Sequence, residues 1–157
     1  MKRHFLLLRH SFFLLLTLTT MSTISQRAAA ATEQTLYNFN PLQAGSLPDG
    51  GVVADGAGNL YGVATNGGAF GAGTVFEFSP NDQGGWGQKI LYNFTAGIDG
   101  GDPEGGVIFD AAGNLYGMTT YGGLSGTGTV FELEHHADGT WSLKVLQNIA
   151  VPSGIWS

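Results

Sequence analysis

The sequence predicts an all-β fold made of antiparallel four-stranded repeat units, arranged as a partial β-propeller of two blades plus a flanking strand. Three features support this prediction: an internal repeat at an offset of 55 positions (Asp55 to Asp110), short apolar segments of strand length, and glycine-rich turns between them. Four-stranded blades repeat every ~40–50 residues in propellers, close to this period. Beyond residue 31 no stretch has useful helical periodicity, and the abundant glycine disfavours helix.

The repeat aligns residues 36–90 with residues 91–145 without a gap, and about half of the aligned positions are identical. The segment "DGAGNLYG" at 55–62 returns as "DAAGNLYG" at 110–117. "LYNF", "GTVFE" and a tryptophan also recur in register. Each unit is therefore predicted to be one copy of the same supersecondary structure.

A third copy begins with "LQNI" at 146–149. The predicted organisation is thus two tandem β repeats with the start of a third across residues 32–149, followed by a C-terminal tail at 150–157. The tail resembles neither an anchor nor a repeat. A longer repeat array, of which this chain is a fragment, is the alternative.

Four segments of each unit have the character of strands. They are rich in aromatic and β-branched residues, and turn clusters such as "PNDQGG" and "HHADG" separate them. Leu60 and Leu115 are expected to be buried between blades, and Gly62 and Gly117 to permit close approach of a neighbouring backbone. The segments are "GGVVAD", "NLYGVAT", "TVFEFS" and "WGQKILYNF" in the first unit, and "GGVIFD", "NLYGMTT", "TVFELE" and "WSLKVLQNI" in the second.

The repeated "D-x-A-G-N" segment is predicted to be the turn of the first hairpin of each blade. Asp55 precedes Gly56-Ala57-Gly58, and an Asp at the start of a turn accepts a hydrogen bond from the N–H two residues on. The alternative is a calcium loop of the EF-hand type. That loop needs more carboxylates and a terminal Glu, which this segment lacks, so the hairpin is favoured.

Residues 1–31 have the order of a secretory signal peptide. A basic start is followed by the apolar run "SFFLLLTLTTM" and by the small residues Ala28–Ala31, where cleavage is expected. A membrane anchor is the alternative, but Arg9 and His10 leave a run shorter than the ~20 residues that a spanning helix needs. The protein is therefore predicted to be secreted, extracellular or displayed at the cell surface, without a membrane span after cleavage.

The charge of the chain beyond Ala31 disfavours two classes of partner. Only Lys89 and Lys144 lie there, two basic against twelve acidic residues, which gives a formal net charge of −10. Such a chain repels phosphate backbones and anionic lipids, so nucleic acid is not an expected partner. Cysteine is absent from the sequence, which excludes disulfides and thiolate chemistry.

Candidate site residues are few, and none is predicted to be catalytic or to bind a cofactor. The pair His135-His136 flanks a turn, where neighbouring side chains are poor joint metal ligands. The acidic loop "DGGDPEGG" supplies Asp99, Asp102 and Glu104 as candidate calcium ligands, although the first unit keeps only Asp49 there. A polar turn that leads into a strand explains the loop equally well.

Aromatic residues that recur in register, such as Tyr61 with Tyr116 and Trp86 with Trp141, could stack on sugars. Their recurrence favours packing between blades instead. A glycan or a protein nevertheless remains a possible ligand of the surface.

The combination "LYNF…DGGDPEGGVIFDAAGNLYGMTTYGGLSGTGTVFEL" closely resembles the tandem repeat called GloVer, which is found in bacterial exported proteins described as choice-of-anchor. The resemblance extends from Leu36 to about Ile149. It implies a secreted or surface-displayed repeat protein, and it carries no catalytic residues onto this chain. Members of the family usually contain many more repeats than the two found here.

Two blades leave large apolar faces without a neighbour, because propellers typically stack four to eight. The expected partners are therefore copies of the chain itself, or further repeats that complete the propeller. The predicted function is non-catalytic binding, adhesion or structural display. The alternative is a fragment of a lactonase-like or lyase-like propeller enzyme with a metal in its central channel.

Overall fold

The computed structural model describes residues 33–39 and 45–150. The chain divides into two compact units, Met1–Gln34 and Thr35–Ser157. All the strands belong to the second unit. Among the described residues there is no helix long and apolar enough to cross a membrane.

The predicted signal peptide at residues 1–31 lies outside the described residues, as do residues 151–157 of the predicted tail. The described part of the chain is all-β, as the sequence predicted. Its regular structure consists of eight strands: β1 (Ser46–Ala54), β2 (Leu60–Asn66), β3 (Thr74–Pro80), β4 (Trp86–Asn93), β5 (Gly101–Phe109), β6 (Leu115–Tyr121), β7 (Thr129–His135) and β8 (Trp141–Asn148).

The strands form two four-stranded antiparallel sheets, each with its strands in sequence order. We call β1–β4 the first blade and β5–β8 the second blade. The registers of the two blades match at the 55-residue offset: Tyr61 pairs with Glu77 as Tyr116 pairs with Glu132. This architecture is that of two propeller blades, and the sheets do not close into a ring.

Each blade has two different faces, because side chains alternate along a strand. We call one the Phe face and the other the Tyr face. Cross-strand partners share a face, so the strand registers identify its members. The Phe face carries Leu60, Phe76 and Phe78 in the first blade and Leu115, Phe131 and Leu133 in the second, and the Tyr face carries Val53, Tyr61 and Val63 in the first blade and Ile108, Tyr116 and Met118 in the second.

The main hydrophobic core lies between the two blades. The Tyr face of the first blade packs on the Phe face of the second, and Leu115 is buried there, as the sequence predicted. The same prediction for Leu60 is wrong, because Leu60 is only partly buried and packs in the smaller core of the first blade. Tyr61 of the first blade lies with its ring 5.0 Å from that of Phe109. At the end of β4, Phe94 enters the same core, and its ring lies 5.2 Å from that of Phe131. Sheet stacking of this kind buries apolar surface that one sheet alone would expose.

Residues 33–39 belong to neither sheet. The predicted flanking strand is therefore not formed by Leu36–Phe39, and this segment contributes through side-chain packing, without ladder hydrogen bonds. Tyr37 lies over Phe78, with ring centroids 4.6 Å apart, and Phe39 lies 5.2 Å from Phe76. This segment covers part of the Phe face of the first blade and completes a second, smaller core.

Gly62 and Gly117 permit a close approach, as predicted, but the nearest group to each is an aromatic ring and not the neighbouring backbone that was expected. A Cβ at Gly117 would lie 2.6 Å from the ring of Phe131, and one at Gly62 would lie 2.8 Å from the ring of Phe76. The cross-strand phenylalanine is thus the nearest group at both positions, and at Gly117 the backbone carbonyl oxygen of Gly106 also approaches, 3.3 Å from such a Cβ. An aromatic ring that folds over an opposing glycine is compatible with the strand pairing of these residues.

Candidate functional site

The most regular polar feature of the fold is a hydrogen-bonded group at the first hairpin of each blade. In the first blade, the Oδ1 of Asp55 accepts hydrogen bonds from the N–H of Ala57 at 2.8 Å and that of Asn59 at 2.9 Å. Its Oδ2 accepts from the Asn59 side chain at 2.8 Å and from the Tyr61 hydroxyl at 3.1 Å. The N–H two residues on is one of the donors, so the turn predicted from the sequence is confirmed.

The second blade reproduces this group and extends it. Asp110 accepts the equivalent bonds from Ala112, Asn114 and Tyr116. The Tyr116 hydroxyl has two acceptors for its one proton, because its oxygen lies 2.7 Å from the Oε1 of Glu132 as well as 3.1 Å from the Oδ2 of Asp110. Lys144 donates in turn to the Oε2 of Glu132 at 3.2 Å. A carboxylate whose oxygens accept four hydrogen bonds within its own hairpin is engaged in structure and presents little to a ligand.

These contacts lower the pKa values of the two hairpin aspartates. Burial opposes ionisation of Asp55, but the hydrogen bonds from Asn59, Ala57 and Tyr61 outweigh it and hold the pKa of the carboxyl below its ordinary value. The bond from the Asn114 N–H does the same for Asp110. Both aspartates are therefore ionised at neutral pH.

The tyrosines of the group shift the other way. Burial, reinforced by the charge of Glu77, raises the pKa of Tyr61 far above its ordinary range. The hydrogen bond to Glu132 raises the pKa of Tyr116 in the same way. Hydroxyls that stay protonated act as hydrogen-bond donors, and proton exchange near neutral pH is not available to them.

The three candidate calcium ligands have separate environments. Asp99 is buried and accepts hydrogen bonds from the Tyr92 hydroxyl at 3.1 Å and from the Thr95 N–H at 2.9 Å, and the Thr95 hydroxyl also donates to it. Asp102 has a positive φ of 50°, and its N–H donates to the Ala72 carbonyl of the first blade. No group of three or more His, Asp and Glu side chains in the described ranges is placed to hold a metal ion. Calcium binding at this loop stays a prediction.

Glu104, the third candidate, lies on β5, an edge strand of its sheet, and its counterpart in the first blade is Asp49 on β1. It lines a shallow depression together with Asp49, Leu47, Pro48 and Thr65. The Oδ2 of Asp49 accepts a hydrogen bond from the Gly105 N–H at 3.2 Å, which links the two blades. The carboxylates of Asp49 and Glu104, which hold the same repeat position, thus line one depression at the β1 and β5 edges of the sheets.

His135 and His136 make different contacts. The ring of His135 stacks on Trp141 with centroids 4.5 Å apart, and the Nε2 of His136 lies 2.7 Å from the Ser142 hydroxyl. The aromatic residues considered for sugar stacking also contribute to packing: Tyr61 is buried, with its ring 6.3 Å from that of Trp141.

Sequence reasoning missed the contact of Tyr92 with Asp99. Burial, the charge of Asp99 and the hydrogen bond to it raise the pKa of Tyr92 to about 12. The first repeat has Ala44 in place of Asp99, so the internal alignment carried no signal for this contact. Only the folded connection between the blades brings the two side chains together.

A family model described as the Gloeobacter/Verrucomicrobia repeat matches residues 19–153. The chain belongs to this family. The match confirms the GloVer-type resemblance of the sequence, and the matched range includes every strand of both blades. No curated protein and no solved structure gives a significant match to the chain.

In this Gloeobacter/Verrucomicrobia repeat protein, the residues that recur between units have structural positions. Asp55 and Asp110 fix the hairpins, and Phe76 and Phe131 pack on the faces of the blades. The repeat motif therefore describes how one blade folds and stacks on the next.

Proposed function

We propose that this protein is an exported, non-catalytic repeat protein whose stacked blades form a scaffold for binding, adhesion or structural display. The observation that carries this proposal is the use of the recurring polar residues. In both blades the Asp, Asn and Tyr side chains of the repeat bond to one another inside one hairpin. A catalytic constellation would instead aim such groups at a shared cleft.

The membership of a repeat family supports this role, because repeat architectures build extended surfaces from copies of one unit. The order of basic, apolar and small residues at the amino terminus supports export. The low count of basic residues beyond Ala31 supports a partner without phosphate groups, such as a glycan or a protein.

Two experiments test the proposal. Fractionation of cells that produce the full chain should place the protein outside the cytoplasm, with its amino terminus cleaved near Ala31. A protein retained whole in the cytoplasm would exclude the exported role. Screening of the purified protein on glycan and extracellular-protein arrays should yield a ligand, and hydrolase assays with lactone and polysaccharide substrates should yield no turnover.

One observation favours a second candidate, a module of a propeller enzyme with a metal in the central channel. Asp49 and Glu104 line the same depression at the edge strands β1 and β5 of the two blades. Calorimetric titration with Ca²⁺ separates the two candidates. A stoichiometric ion, lost in the double variant Asp49→Asn with Glu104→Gln, together with turnover that a chelator abolishes, would favour the enzyme.

A further inference from the structure

The Tyr face of the second blade is an apolar surface without a neighbour among the described residues. Ile108 is 65% exposed and Met118 is 54% exposed. The corresponding residues of the first blade, Val53 and Val63, pack in the core between the blades, and Val63 is 1% exposed. The chain itself thus shows what covers a Tyr face, namely the Phe face of another blade.

The Phe face of the first blade has no partner sheet among the described residues. In the first blade Phe76 and Phe78 are covered by Tyr37 and Phe39 of the amino-terminal segment, and not by a sheet. We propose that the Tyr face of the second blade binds the Phe face of the first blade of a second copy of this chain. Because the two surfaces differ, the contact is heterologous and repeats from copy to copy, giving a closed ring or an open filament.

The interface inside the chain defines the register of this contact. Lys89 donates to the Gly139 carbonyl across the blades at 3.3 Å, and the Thr65 hydroxyl donates to the Pro103 carbonyl at 3.3 Å. At the 55-residue offset, the equivalent hydrogen bonds between copies would join Lys144 to the Gly84 carbonyl of the second copy. They would likewise join the Thr120 hydroxyl to the Pro48 carbonyl of the second copy. In the free chain Lys144 instead lies 3.2 Å from Glu132 and 3.6 Å from Glu134, and its side chain is 58% exposed.

The amino-terminal segment competes with the second copy. The ring of Phe39 lies 5.2 Å from Phe76, just as that of Phe94 lies 5.2 Å from Phe131. Phe94 follows β4, and its counterpart Ile149 follows β8, where the N–H of each bonds to a carbonyl of its own blade. Ile149 of one copy and Phe39 of the next would therefore occupy one place. Because residues 33–39 form no ladder hydrogen bonds, we expect Ile149 of the incoming copy to displace Phe39 from the Phe face.

The inference does not depend on the proposed function, because either a scaffold or an enzyme would use the same stacking. Its test is the mass of the purified chain in solution, measured by light scattering and sedimentation over a range of concentrations. The wild-type chain should associate as concentration rises. Met118→Lys should raise the concentration at half-association at least about tenfold, because it places a charge in an apolar contact. The matched control is Ile98→Lys, which changes a loop residue that is 74% exposed and belongs to neither face.

Phe39→Ala sharpens the test, since it weakens the competing segment. This variant should associate at lower concentration than the wild type, and Met118→Lys in the same chain should remove that gain. If association were non-specific, the double variant would keep the gain. Equal effects of Met118→Lys and Ile98→Lys, or a monomer at every concentration for both the wild type and Phe39→Ala, would overturn the proposal. Circular dichroism of each variant establishes that the sheets are intact.

Discussion

Val63 and Met118 hold the same position in successive blades, yet Val63 is 1% exposed and Met118 is 54% exposed. Val63 packs against the second blade in the main core. Met118 has no blade packed against it among the described residues, and its side chain is largely exposed. The same repeat position is therefore core in one blade and surface in the other.

Substitution by lysine should separate these two environments. Val63→Lys should lower the free energy of unfolding by about 3–5 kcal/mol, because it leaves an unpaired charge in an apolar interface. Met118→Lys should change it by no more than about 0.5 kcal/mol, as is usual for exposed positions. Urea denaturation at low protein concentration measures both. Similar losses in the two variants would mean that the two Tyr faces are equally buried.

Thr74 and Thr129 form a second matched pair. The hydroxyl of Thr129 lies 3.0 Å from that of Thr119, within the buried core. Thr74 is equally buried, but its hydroxyl has no hydrogen-bond partner among the described residues, and Ala64 stands where the second blade has Thr119. Thr74→Val should stabilise the fold by about 1 kcal/mol, because it replaces an unpaired buried hydroxyl by a methyl group of similar size.

The reverse is expected of Thr129→Val. It removes the hydrogen bonds of the Thr129 hydroxyl to the Thr119 hydroxyl and to the Asp99 carbonyl, and should cost about 1 kcal/mol. Thermal and urea unfolding of the two variants supply the comparison. A loss of stability in Thr74→Val would show that its hydroxyl has a partner outside the described residues.

The hairpin aspartates give the fold an acid dependence. Their pKa values are lower in the folded chain than in the unfolded chain, so they stabilise the fold above the unfolded value of about 4. This contribution is lost as pH falls through the lowered folded-state pKa. Asp110→Asn should weaken the fold at neutral pH and flatten the dependence below about pH 4.

Urea midpoints measured across the acid range check this expectation. Asp82→Asn is a useful control, because Asp82 lies in the exposed turn between β3 and β4, and none of the described hydrogen bonds involves its carboxylate. An acid dependence that Asp110→Asn leaves unchanged would assign the titration to other carboxylates.

Tyr92 gives the fold an alkaline dependence. Its pKa of about 12 exceeds the ordinary value of about 10, so the protonated hydroxyl stabilises the folded state. This contribution is complete below about pH 10 and is lost as pH rises through 12. Tyr92→Phe should reduce the alkaline loss of stability. Phenolate absorbance during a pH titration reports the ionisation, and a Tyr92 that ionised near pH 10 would contradict the contact with Asp99.

Much of the fold could be predicted from local pattern. The strands and the Asp55 turn follow from apolar segments of strand length and from an Asp followed by glycines, both of which act over a few residues. The position in the sequence at which one blade ends and the next begins could not be predicted from the repeat. The sequence units begin at "LYNF", whereas Leu91–Asn93 complete β4 of the first blade. A tandem repeat has no intrinsic starting point, so the alignment could not decide which sheet this motif joins.

The environments of the candidate ligands could not be predicted in the same way. Asp99, Asp102 and Glu104 lie within six residues of one another, which suggests a cluster. Asp99 instead turns to Tyr92 and Thr95, while Glu104 lies beside Asp49 of the other blade. Asp99 precedes β5, whereas Asp102 and Glu104 lie on it, so their side chains have different directions and different neighbours. Sequence spacing does not report those neighbours.

Each copy of the amino-acid repeat specifies its own strands, its hairpin turn and the positions that alternate between the two faces. These features depend on local hydrogen bonds and on the two-residue period of a strand, and each copy of the repeat contains the residues that determine them. The tertiary structure decided which copy of a position is buried and which is exposed. Burial is a property of neighbours, and two units of nearly the same sequence have different neighbours once they stack.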